Sequence, residues 1–182
     1  MDDLKHHMDL LAKDRSTEER LLAFWPVIEP RLSVIVTRLI NFARDLANDA
    51  DVEQCDFERL KRIQSQHFAR LLSWRIDDDY VDGVLAMHFA FRKAGLDIPA
   101  ILAIYNELSR SLTTNVVETY RWKPGILASI QKAVTSTLLF DLSMLLSVDQ
   151  SDCQNMSKSQ STARFPLQRE LFRNIGIGVP VA

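Results

Sequence analysis

The chain has 182 residues, 47% of them hydrophobic and 25% charged, the balance of one soluble globular domain with or without a tail. Its formal net charge of −2 supplies no basic field for nucleic acid, so no nucleic-acid partner is expected. Five glycines and six prolines are too few to punctuate an all-β chain of this length, which leaves an all-α fold.

Leu4, Met8 and Leu11 predict a short amphipathic helix over the first dozen residues. A second helix starts at Thr17, a capping residue, with Glu18 and Glu19 at the positive end of its dipole. It carries Leu21, Leu22 and Trp25, and is expected to stop at Pro26 to Pro30. A third runs from about Leu32 to Leu46, with Val34, Ile35, Leu39, Ile40 and Phe42 on a wide apolar face. After a polar loop, Leu60, Ile63, His67, Leu71 and Trp74 share one stripe of a fourth helix, from about Phe57 to Trp74.

Asp77, Asp78 and Asp79 open a fifth helix, whose inner stripe includes Val84, His88 and Phe91 and which ends at Gly95, a left-handed cap. Pro99 suits the first turn of a sixth, which reaches about Tyr120. Lys123-Pro124-Gly125 breaks it from a seventh, over about Ile126 to Ser147. From Leu138 to Leu146 that helix is apolar on nearly all sides and asks for cover on two faces. Residues 150–182 turn polar and read as a flexible C-terminal tail with at most one short helix, behind a domain spanning 1–149.

Catalytic motifs are missing. There is no His-Glu-x-x-His, no Gly-x-Ser-x-Gly and no phosphate-cradling glycine loop, and no enzyme is expected. Cys55 and Cys153 suggest neither a disulfide framework nor a zinc site. The polar, acidic N-terminus and the lack of a membrane-length apolar run point to a cytoplasmic protein with no membrane span. The Asp77 to Asp79 triplet reads as a solvated helix start, because adjacent helical residues point in different directions. His67 and His88 each lie on an apolar stripe, either as hydrogen-bonded core histidines or as an iron ligand facing a prosthetic group.

Four segments carry a resemblance: Gln66-His67-Phe68-Ala69-Arg70-Leu71-Leu72, Asp77-Asp78-Asp79-Tyr80, Ala94-Gly95-Leu96 and Ile104-Tyr105-Asn106-Glu107-Leu108. Weaker echoes occur in Trp25 to Pro30 and in Leu138-Leu139-Phe140-Asp141-Leu142. Together they resemble the globin domain of globin-coupled sensors and the related protoglobins, over roughly residues 16–148. The resemblance implies a globin-like helical sandwich with an extra N-terminal helix, heme b, oxygen sensing, and dimerisation through the last two helices.

The chain departs from that pattern at the iron. The family's proximal histidine lies four residues before the Gly-Leu pair, where this chain has Phe91, which has no lone pair for iron. Ile40, Leu60 and Ile63 on the gas-facing side cannot donate a hydrogen bond to oxygen. The expectation is therefore a heme-free sensor domain with no cofactor, signalling to a protein partner. Ile40, Leu60, Ile63, His67, Val84, His88 and Phe91 would line an apolar pocket for a fatty-acid-like ligand anchored on imidazole, or a core packed shut. The alternative is a heme-b gas sensor that uses His88 as proximal ligand, three residues and about 4.5 Å along the helix from Phe91. A homodimer is expected through the sixth and seventh helices, with Leu138, Leu139, Leu142, Leu145 and Leu146 at its interface.

Overall fold

The computed structural model of the chain describes residues 15–47 and 55–148. Five helices and no strands make up the described residues: α1 (Arg15–Leu46), α2 (Phe57–Leu72), α3 (Asp78–Lys93), α4 (Ile98–Tyr120) and α5 (124–148). The lead helix expected over the first dozen residues, and the tail from 150 onward, lie outside them. The chain divides into two compact units, Met1–Leu145 and Leu146–Ala182, and the packing below belongs to the first.

The second and third predicted helices are one. α1 continues for 32 residues straight through Pro26 and Pro30. Each proline removes a backbone donor and crowds the carbonyl four residues earlier, which is why a stop is expected there. Pro26, Pro30 and Leu22 all lie on the exposed face, so the carbonyls left without donors, on Leu22 and Pro26, can turn to water. Meanwhile Leu21, Phe24, Ile28, Leu32, Ile35, Leu39 and Ala43 keep one buried stripe unbroken along the other face. Burial of that stripe outweighs the local penalty.

The remaining helices start and stop on local signals. Asp56, Asp77 and Asp97 each accept a hydrogen bond from the backbone N–H three residues on, at 2.8, 3.0 and 2.9 Å, and cap α2, α3 and α4. Gly95, at φ 67°, closes α3 as expected, with Leu96 N–H donating to Phe91 O and Gly95 N–H to Arg92 O. The same closure ends α2 at Leu72, two residues short of the expected end. There Arg75 N–H donates to Arg70 O, and Trp74 takes the left-handed position at φ 57°. A bulky side chain in that region is strained, so Trp74 belongs to the turn rather than to the helical stripe.

α1 packs on α2 and α4, and α2 packs on α3. Gln131 on α5 donates to Thr113 on α4 at 2.8 Å. Most of the core is apolar, with Phe24, Phe68, Met87, Phe91 and Leu112 each at most 1% exposed, but Gln64, His67, His88 and Asp141 are buried within it.

Because both prolines of α1 are exposed, Pro26→Ala or Pro30→Ala should restore a helix hydrogen bond and raise stability by about 1–2 kcal/mol. Urea unfolding with an unchanged slope measures the gain, and a loss in either variant would mean that the prolines set a bend the core requires.

Candidate functional site

One carboxylate lies fully buried about two turns before the end of α5. Asp141 has no solvent exposure, and three side chains from three other helices converge on it. His67 of α2 approaches Oδ1 with its Nε2 at 2.7 Å, the Tyr80 hydroxyl of α3 donates to Oδ1 at 2.6 Å, and the Tyr105 hydroxyl of α4 donates to Oδ2 at 2.5 Å. Helical geometry supplies each donor. His67 and Tyr105 sit on the buried stripes of their helices, and Tyr80 is held in the first turn of α3 by its own N–H to Asp77.

The electrostatics settle the proton inventory. Burial alone would raise the Asp141 carboxyl. The positive charge His67 carries when protonated, with the hydrogen bonds from His67, Tyr105 and Tyr80, outweighs burial and holds it below the ordinary carboxylate range. Both phenols move the other way, raised well above their ordinary value by burial first, then by the negative charge of Asp141 and their bonds to it. Asp141 is thus the ionised acceptor and both tyrosines remain donors. A carboxylate only accepts, so the His67 nitrogen facing it, Nε2, carries the hydrogen.

The other nitrogen, Nδ1, is buried and has no hydrogen-bond partner in the protein. It faces α3 at Gly83, where an added Cβ would come within 3.0 Å of it. The His67 ring stacks on Tyr80 at 5.2 Å between centroids, and Tyr80 stacks in turn on Phe140 at 6.2 Å. Gly83 is therefore the position that lets α3 close over the imidazole.

The expected pocket residues divide between core and surface. Ile40, Leu60, Val84 and Phe91 are at most 3% exposed, and His88 is 2% exposed with its ring edge-on to Phe89. Ile63 is half-buried and turns to the outer side of α2 and α3, where it lines two grooves, of about 220 and 320 Å³. The larger groove includes His67 and Gly83, and the smaller includes Leu60 and the exposed ring of Phe89. Of the expected interface leucines, Leu138 and Leu145 are 5% and 1% exposed within the subunit, Leu139 is 62% exposed, and Leu142 and Leu146 are half-buried.

Gly83 does not enter the sequence reading, and Asp141, Tyr80 and Tyr105 enter it only as motif letters. A signal for Asp141 was present: one acid in the apolar run Leu138 to Leu146 must find donors if the helix is covered on both sides. Which donors it finds depends on long-range packing, because its partners lie 36 to 74 residues away.

The Protoglobin family model matches residues 1–154, and the chain belongs to that family. Its all-α architecture is accordingly that of a globin fold. No curated protein matches the chain.

Removing the hub should unsettle four helices together. Asp141→Asn is expected to destabilise by about 3–5 kcal/mol, as for other broken buried ion pairs, and Tyr105→Phe by about 1.5–3 kcal/mol, both read from chemical unfolding. The Asp141 carboxyl titrates lower folded than unfolded. Its contribution is therefore complete above the unfolded value of about 3.9 and fades as pH falls through the lower folded one. Wild type should lose more stability than Asp141→Asn on acidification through that window.

Proposed function

We propose that this chain is a regulatory globin domain that works without heme, has no enzymatic activity, and passes its signal by protein contact. The observation that carries this reading is Phe91. The resemblance puts the proximal iron ligand at this position, and here a phenyl ring with no solvent exposure fills it.

The residues present do not fit heme b. Ile40, Leu60, Val84 and Phe91, the side chains that would have to part around a porphyrin, are already spent on one another and on the core, all at most 3% exposed. α2 and α3 pack directly against each other. His67, the other imidazole on these helices, is committed through Nε2 to Asp141. His88 stands about 4.5 Å along α3 from Phe91, a displacement far beyond the tolerance of an iron–nitrogen bond. The same packing favours a core closed to a fatty-acid-like ligand over an open apolar pocket.

The reading also has two copies pairing through α4 and α5. Leu102, Val117 and Leu139 are 43%, 43% and 62% exposed on these two helices. Covering such side chains contributes up to about 1.5–3 kcal/mol each when burial is complete. The contact draws on fewer leucines than the expected five, since Leu138 and Leu145 are consumed within the subunit.

Hemin titration of the full chain tests the first part. Wild type should give no stoichiometric Soret band, and a band that disappears in His88→Ala would overturn the heme-free reading. Sedimentation tests the second. A dimer at micromolar concentration should shift toward monomer in Leu139→Glu, whereas a monomeric wild type would reject pairing.

A further inference from the structure

The groove of about 220 Å³ between α2 and α3 is lined by none of the side chains that meet at Asp141. Its walls are Leu60 and Ile63 of α2 with Ala86 and Phe89 of α3. The Phe89 ring is 60% exposed. Single apolar side chains in water are ordinary on a soluble domain, but this ring borders a concave apolar surface, the form that binding sites take. An apolar cavity of about 150 Å³ admits benzene. The groove therefore has room for one aromatic ring with a short substituent.

Charge selects among such ligands. Arg59 and Lys93 line the same groove, and neither side chain has an ion-pair partner among the described residues. Asp56 is the one acid among the lining residues, and its Oδ1 already accepts the Arg59 backbone N–H at 2.8 Å as the cap of α2. Two unpaired cations against one engaged carboxylate leave the groove positive, which favours an anion and opposes an amine.

We propose that this groove binds a small aromatic carboxylate. The ring stacks on Phe89 and rests against Leu60 and Ile63, where stacking gains more than the covered area alone. The carboxylate stands between Arg59 and Lys93. No helix has to move, because the groove is open to solvent as it stands. Such a ligand touches α2 and α3 at once, so its occupancy braces one helix against the other. This binding rests on the heme-free reading, since the resemblance puts Leu60 and Ile63 on the side that faces a heme-bound gas.

The test uses the full chain and para-fluorophenylacetate, followed by ¹⁹F NMR. Its line should broaden saturably with added protein. Para-fluorophenethylamine, with the same ring and the opposite charge, should not bind, and acetate, with no ring, should not displace the probe. Phe89→Ser, and Arg59→Gln combined with Lys93→Gln, should each weaken binding about two- to tenfold. Ala86→Phe should abolish it by filling the groove. All four of these side chains are exposed, so the variants leave the buried core intact. The proposal is overturned by the lack of saturable broadening, by equal binding of the amine, or by unchanged affinity in the Arg59 and Lys93 double variant. Hemin titration of the same protein separates the two readings: with no Soret band such a failure overturns the groove alone, and a stoichiometric band overturns both.

Discussion

A carboxylate with no access to water can stay ionised only where donors surround it, and this requirement organises the domain around Asp141. Desolvation works against the charge. Three hydrogen bonds, from three helices that reach α5 from different sides, outweigh that penalty together. Their geometry leaves little freedom: sliding α2, α3 or α4 out of place would strand a donor and the charge at once. Apolar packing holds the same helices together, but it tolerates small slips that a hydrogen-bonded charge does not.

The cluster also orders its own surroundings. The His67 ring is fixed at one nitrogen by Asp141 and on one face by Tyr80, which in turn stacks on Phe140. α3 can lie close to the imidazole only because position 83 lacks a side chain. A change at Gly83 therefore reaches Asp141 through a single ring, without passing through the apolar core.

Local chemistry made much of the fold legible. Asp56, Asp77 and Asp97 cap the helices that follow them, and Gly95 adopts the left-handed conformation its position suggests. These signals act within a few residues and survive in any tertiary setting. Pro26 and Pro30 were misleading for the complementary reason. Their penalty is local, but a buried stripe extending on both sides of them belongs to the whole domain and overrides it. From Leu138 to Leu146 the apolar residues divide: Leu138, Met144 and Leu145 are buried within the subunit and Phe140 stacks on Tyr80, while Leu139 stays 62% exposed.

By itself the sequence determined the helical class, most of the helix boundaries, and the segments that resemble the sensor globins. All of these are read from neighbours along the chain or from fixed spacings on one helix. Tertiary structure alone decided that α1 is continuous, that His67 serves Asp141, and that Gly83 closes over the imidazole. The physical reason is range. A buried charge chooses among all donors that folding can bring to it, and the distance along the chain between Asp141 and His67, 74 residues, carries no trace of the 2.7 Å between them in space.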